Sequence, residues 1–259
     1  PERTMRHQTW RTVLTVGFGM LFAGNVSAQE WNGPRGFLNL SFVDGDPVGE
    51  LKTFIDDAVG GQIHGAWAFA DKGRLRLRGD LGLLIYGSEG YDACHPLSCR
   101  LGVNIETTNS IFYGGIGPEY AIRVGLLEPY IYATGGFSLF ATNTSLRGGD
   151  HHNDWDDNSW LNTTNYSDAL MAWRVGGGMR FRLTGGALPL SIDVGVERHQ
   201  NGIANFLTEG DITDNPDGTI DIFPNRSEAN LLTFRIGFRI GFRIKRKIGI
   251  GGQWINKST

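Results

Sequence analysis

The chain has 259 residues, 40% of them hydrophobic and 11% aromatic, with 38 glycines, two cysteines and a formal net charge of -3. That length fits one large domain or two small ones, and the near-even charge leaves no electrostatic footprint for a nucleic-acid partner. Beyond the N-terminal segment nothing approaches the ~20 uninterrupted apolar residues of a transmembrane helix.

The first element is a targeting segment. Arg6 and Arg11 make a positive start, residues 12–24 are the apolar stretch, and Val26-Ser27-Ala28 is a small-residue cleavage site. Met5 is the expected initiator. Residues 1–28 are therefore read as a cleaved signal peptide rather than a membrane anchor, for which the stretch is too short. The mature chain is expected to start at Gln29.

Residues 36–42 form a first strand with Leu38, Leu40 and Phe42 on one face, and residues 44–60 read as a long polar connection. Residues 62–70 follow, with Ile63, Trp67 and Phe69 opposite His64 and small alanines. A tight turn at 71–73 leads to a third strand, residues 74–86, which sets Leu75, Leu77, Leu81, Leu83 and Ile85 against Arg74, Arg76, Arg78 and Asp80. Residues 88–102 read as a longer loop. It carries Cys94 and Cys99, and in an exported chain a short-range disulfide is the expected reading. His95 alone is too few ligands for a metal site.

A fourth strand lies within 103–124, with Phe112, Ile116 and Ile122 opposite Tyr113, Glu119 and Arg123. After a short turn at 125–128, residues 129–141 place Ile131, Ala133, Phe137 and Leu139 opposite Tyr130, Tyr132, Thr134 and Ser138. Residues 143–167 read as long and polar. Residues 169–183 alternate Met171, Trp173, Val175, Met179 and Phe181 with Arg174, Gly176, Gly178, Arg180 and Arg182. A short turn at 184–187 precedes residues 188–199, where Leu190, Ile192, Val194 and Val196 oppose Ser191, Asp193, Glu197 and His199. Residues 201–228 read as a last long loop. The eighth strand runs to Phe242, with Leu232, Phe234, Ile236, Phe238, Ile240 and Phe242 on one face and Thr233, Arg235, Gly237, Arg239 and Gly241 on the other.

Side chains of a strand alternate between its two faces, so each strand has one greasy face and one polar or glycine-rich face. Glycines between arginines fit a crowded concave interior, which puts the apolar face outward, into lipid. The connections alternate long and short, four long and three short. An up-and-down barrel inserted from one side of a membrane has that asymmetry, whereas a Greek-key sandwich has no reason to keep it. Closure also removes the sheet edges that lipid would not tolerate. The expected fold is an all-β, closed antiparallel up-and-down transmembrane barrel of eight strands over residues 29–242, followed by a basic tail, 243–259.

These features resemble the eight-stranded outer-membrane barrel family of the OmpA membrane domain and OmpX. The glycine-rich GGIGPEYA and EPYIYATGGFS share the family's look, and Arg235, Gly237, Ile240 and Phe242 match its assembly signal. The resemblance implies recognition by the barrel-assembly machinery and residence in the outer membrane of a Gram-negative-type bacterium. Such chains often stop at the terminal aromatic, whereas this one continues to Thr259, and a peptidoglycan-binding domain of the OmpA type is not expected.

The inward face is expected to hold a charge network of Arg74, Arg76, Arg78, Arg123, Arg174, Arg180, Arg182, Arg235 and Arg239 with Asp80, Glu119, Asp193 and Glu197. An eight-stranded interior is just wide enough for such side chains, so a plugged lumen is preferred to an anion-selective pore. His199-Gln200-Asn201-Gly202 resembles the His-Gln-Ser-Asn-Gly motif of outer-membrane phospholipase A but lacks the nucleophilic serine, so no enzyme activity is expected. Asp150, His151, His152, Asp154, Asp156 and Asp157, and further on Glu209, Asp211, Asp214 and Asp217, could hold Ca²⁺, yet acidic external loops are ordinarily solvated surface. Neither a metal nor a cofactor is expected. Trp67, Tyr86, Phe112, Phe140 and Trp173 are candidates for an aromatic girdle at the bilayer interfaces.

The expected role is structural, or contact with surfaces and ligands through the external loops, with outer-membrane lipid around the barrel. A small porin-like channel and, further off, a lipid hydrolase are the alternatives. A soluble lipocalin-like carrier is the rival fold.

Overall fold

The structure, a computed structural model, describes residues 33–69, 73–95, 98–148, 159–186, 188–215, 220–242, 248–250 and 253–255. Eight strands pair in sequence order into a closed barrel. They are β1 (Gly36–Pro47), β2 (Ala58–Ala68), β3 (Leu75–His95), β4 (Ser98–Ala121), β5 (Leu127–Gly148), β6 (Ser159–Arg182), β7 (Leu190–Gln200) and β8 (Leu231–Phe242). Each is antiparallel to both neighbours. β8 closes the cylinder on β1, with Gly36 opposite Phe242 and Pro47 opposite Leu231.

Three connections join the strands tightly at one end, after β2, β4 and β6. In the turns after β4 and β6, Gly125 (φ 61°) and Gly186 (φ 90°) take the left-handed conformation that a tight reversal needs. The opposite end carries the long connections. No helix among the described residues is long and apolar enough to cross a membrane; the barrel crosses with strands.

The long connections differ from the sequence reading. β1 runs on through Pro47, and β2 begins at Ala58. Residues 88–102 and 143–167 are not loops for most of their length. β3 pairs with β2 only as far as Ile85 but stays on β4 as far as His95. β5 and β6 likewise stay paired well past the last residue that β6 shares with β7, Trp173. The reason lies in runs such as NIETTNS in β4, TNTSLR in β5 and LNTTNYS in β6. Threonine suits a pleated surface, and Thr107 and Thr144 hydrogen-bond across the ladder at 2.9 Å. Residues 106–110, 142–145 and 163–168 are polar on both faces, so the period-2 signal disappears there although the strand does not.

The connection between β7 and β8 is also structured. Ile203–Phe206 pairs with Asn225–Glu228, and Ile212–Asp214 with Ile220–Ile222. A 3-10 turn, Gly49–Thr53, stands between β1 and β2. After β8, Ile248–Ile250 pairs with Gln253–Ile255. The side chains of Cys94 and Cys99, the cluster from Asp150 to Asp157, and Asp217 lie outside the described residues, as does the segment read as a signal peptide.

Candidate functional site

Along every barrel strand the alternation places one set of side chains in the lumen. Among the described residues, six arginines and five carboxylates are fully or almost fully buried there: Arg76, Arg78, Arg174, Arg180, Arg235 and Arg239 with Asp80, Glu119, Glu128, Asp193 and Glu197. They are stacked in layers along the axis. Nearest the short-turn end, Glu128 Oε1 accepts from Arg76 Nη1 at 2.7 Å, Arg239 Nη1 at 2.6 Å and Arg180 Nη1 at 3.1 Å. Glu119 takes both Nη groups of Arg180, at 2.9 and 2.7 Å, and one each from Arg76 at 3.1 Å and Arg78 at 3.3 Å.

The middle layer is built on Tyr130 and Tyr132, stacked with ring centroids 6.2 Å apart. Arg180 lies over Tyr130 at 3.6 Å and Arg78 over Tyr132 at 3.9 Å, so the guanidinium planes are held from their faces as well as their edges. Asp193 accepts from Tyr130 Oη at 2.5 Å and from Arg180 Nε at 2.9 Å. Tyr132 donates to Glu197 and accepts from Arg235. Above them, Arg174 Nη2 donates to Asp80 Oδ1 at 2.9 Å, and His199 Nε2 lies 2.7 Å from Glu197 Oε1. In a low-dielectric interior these groups are tolerated only because each charge meets another.

The lumen glycines make the room. A Cβ at Gly195 would stand 2.9 Å from both Arg235 Nη2 and Tyr130 Oη, and one at Gly176 would stand 2.5 Å from Tyr132 Oη. Such spacing is closer than real Cβ contacts, so long side chains occupy the volume that glycine leaves.

Above the charges the lining turns apolar. Val43, Ala58, Leu84, Ile111, Phe140 and Leu231 point into the upper lumen from six strands, and Leu51, Ile55, Ala204, Phe206 and Ala229 reach in from the connections. Phe206 is the centre of this cap. Its ring meets Phe54 at 5.7 Å, Phe140 at 5.9 Å and Tyr86 at 6.3 Å. The long-connection end is therefore stoppered by hydrocarbon, with the charge network beneath it.

Several expected positions move. Arg74 precedes β3 and is half-buried outside the network. Arg123 lies in the turn after β4, its side chain 30% exposed, and touches Glu128 at 3.3 Å from the rim. Arg182, at the last residue of β6, donates to the carbonyl of Gly125 and is likewise half-buried. All three have the parity of lumen residues but sit at the level where the barrel opens. Tyr86 and Phe140 belong to the cap and not to an outer girdle: Phe140 is 1% exposed and Tyr86 donates to Leu207 O at 3.2 Å. Trp67, Phe112 and Trp173 do face outward.

The sequence reading missed Glu128, whose assignment to a turn hid that it shares a face with Tyr130 and Tyr132. It missed the apolar cap altogether. It also passed over Asn39, Ser41 and Gln62, buried polar groups that fill the space between charges. His199 is fully buried, lies edge-on to Tyr113 at 4.7 Å and faces the lumen rather than lipid. Among the described residues no group of three metal-ligating side chains has the geometry to hold an ion.

The outer face is the reverse of the inner one. Leu40 is 68% exposed, Phe238 61% and Trp173 55%, and Leu81, Ile116, Ile131, Val194 and Ile236 are exposed with them. A soluble barrel buries such residues; this one presents them all round and buries six arginines in its lumen. The fold is a transmembrane β-barrel. Solved structures similar to it include Neisserial surface protein A (13% identity over 80% of this chain and 97% of that one, TM-score 0.45). Others are Ail of Yersinia pestis (10% identity, 81% and 99%, TM-score 0.42) and a major outer membrane protein of Thermus thermophilus (14% identity, 80% and 99%, TM-score 0.42). These are likenesses of fold alone. No family model and no curated protein matches the chain.

Proposed function

We propose that the protein is an outer-membrane barrel with a closed lumen that acts through the parts of β3 to β6 and of the long connections standing outside the bilayer. The observation that carries this reading is the double closure of the lumen. Buried guanidiniums are engaged by buried carboxylates, and an apolar cap built on Phe206 covers them. An anion path needs a continuous column of water, and both layers are packed from buried side chains, which speaks against one.

On this reading the short-turn end is periplasmic and the long-connection end external, as in barrels inserted from the periplasm. The paired extensions of β3 to β6 then stand clear of the membrane by about 30 Å of strand, at ~3.3 Å per residue. Polar residues on both of their faces suit water and contact with another surface. Export through a cleaved signal peptide and assembly through Arg235, Gly237, Ile240 and Phe242 belong to the same proposal. A hydrolase is disfavoured because His199 is enclosed in the lumen, where no lipid reaches it, with Glu197 and Tyr113 against it.

The test is made on intact cells. The protein is expected in the outer-membrane fraction with heat-modifiable gel mobility, and external protease is expected to cut the β3–β4 and β5–β6 hairpins while the barrel stays folded. Recovery of the mature protein in the soluble fraction without detergent would overturn the reading. So would hydrolysis of phospholipid by the purified protein.

A further inference from the structure

At the periplasmic end the lumen network stops short of the turns and leaves a depression. Its wall includes Arg123, Arg180, Arg182, Arg239, Glu128 and Ser191. Four guanidiniums thus share it with one carboxylate. Glu128 has little left to give: beside its three contacts on Oε1, its Oε2 accepts from Arg123 at 3.3 Å. The nearest other carboxylate on β7, Asp193, is engaged by Arg180, Tyr130 and Asn39.

Arg239 is the informative member. It is 3% exposed, its Nη1 donates to Glu128, and its plane lies over the Phe37 ring at 3.7 Å. Its Nε and Nη2 have no hydrogen-bond partner. Those two N–H groups form one edge of the guanidinium, the edge that grips two oxygens of an oxyanion side-on. Other lumen groups lack partners too, Arg78 Nε and Nη2 among them, but of these residues only Arg239 lines the depression, and a place kept for a bound ion is one reason for such a group. Strand register adds further donors in one row. Arg182 on β6 is opposite Ser191 on β7, and Ser191 is opposite Arg239 on β8.

We propose that this depression binds a phosphate group entering from the periplasmic side. The fork of Arg239 takes two of its oxygens, and the Arg182 guanidinium and the Ser191 hydroxyl are placed to take others. A tetrahedral anion carrying more than one charge suits such a set of donors better than a single carboxylate does. Inorganic phosphate or a small phosphomonoester is one source. The headgroup of an inner-leaflet phospholipid is the other, since Leu126 and Leu188 stand exposed at the same end, within reach of the bilayer boundary. The site is independent of any role of the external hairpins and shares with that reading only the orientation of the barrel.

The experiment uses the mature protein in a maltoside detergent at low ionic strength, where phosphate contacts are least screened. Inorganic phosphate is titrated calorimetrically, and retention of phosphatidylglycerol is followed by native mass spectrometry. Binding of one phosphate with a Kd of about 1 mM or tighter, weakened about tenfold or more by Arg239→Gln and by Arg182→Gln, supports the free-anion source. No response to phosphate, with one phospholipid retained by the parent protein and lost by both variants, supports the headgroup source. The proposal is overturned if the parent protein takes up neither, or if the variants bind as it does. Heat-modifiable mobility establishes that each variant is folded. Should Arg239→Gln fail to fold, Arg182→Gln and Ser191→Ala, both at the rim end of their strands, decide the question by the same readouts.

Discussion

Arg180 and Glu119 meet across the lumen in a two-point contact, Nη1 on Oε1 at 2.9 Å and Nη2 on Oε2 at 2.7 Å, although β5 separates their strands. The pair spans a chord of the barrel, so it braces the wall in a way that ladder hydrogen bonds between neighbours do not. Removing either partner leaves a charge buried without its counter-ion. Arg180→Ala or Glu119→Ala is expected to cost about 3–5 kcal/mol, while a double replacement by apolar residues of similar size costs much less than the sum. Urea unfolding of the barrel refolded into lipid measures all three, and additive losses would contradict the pairing.

A lumen glycine and an outward-facing one predict a second contrast. Gly176→Ala drives a methyl against Tyr132 Oη and is expected to cost about 1–3 kcal/mol through overpacking. Gly135 has no atom within 4 Å of where its Cβ would stand, so Gly135→Ala is expected to change stability by no more than about 0.5 kcal/mol. The same unfolding assay separates the two. Equal effects would mean that Gly176 does not lie against Tyr132 and the Val196 carbonyl as assigned.

The outer face makes a prediction about lipid. Ile236 lies midway along β8, exposed, between the inward Arg235 and Gly237. Ile236→Arg is expected to lower stability in bilayers by about 2–4 kcal/mol, the cost of a cation near the midplane. Moving the arginine to Phe242, at the end of the strand, is expected to cost about 0–1 kcal/mol. A cost that does not change with depth would count against the assigned bilayer position.

The cap is testable separately from the charges below it. Phe206→Ala removes the ring that joins Phe54, Tyr86 and Phe140, and should loosen the cap by about 3–5 kcal/mol. Hydrogen exchange of residues 203–206 and 225–228 is expected to accelerate, while exchange in the barrel rows of Arg180 and Asp193 stays slow. Acceleration in both regions together would show cap and network to be one cooperative unit.

How far the sequence could be read depended on what lay on each side of a strand. Where lipid faces one side and the lumen the other, period-2 alternation marks the element, and β8 is the plainest case, with Phe234, Ile236 and Phe238 set between Arg235, Gly237 and Arg239. Where water faces both sides, as in the extensions around Thr107 and Thr144, the pattern has nothing to report and strand reads as loop. Apolar side chains inside the barrel break the pattern differently. Leu83-Leu84-Ile85, Ile111-Phe112 and Leu139-Phe140 are consecutive apolar residues, greasy on both faces. Those runs mark the level at which the lumen closes, and they were the available signal for the cap. Arg74, Arg123 and Arg182 teach the converse lesson. Parity assigns a side of the sheet, while depth along the axis decides whether a charge on that side is buried.

The central claim is that the lumen is closed by two layers, charges below and hydrocarbon above. Planar-bilayer recording of the purified, refolded barrel tests it most directly. The closed lumen predicts a silent trace at either polarity, with the protein shown by heat-modifiable mobility to be folded. Stable, anion-selective conductance steps from the same preparation would contradict it.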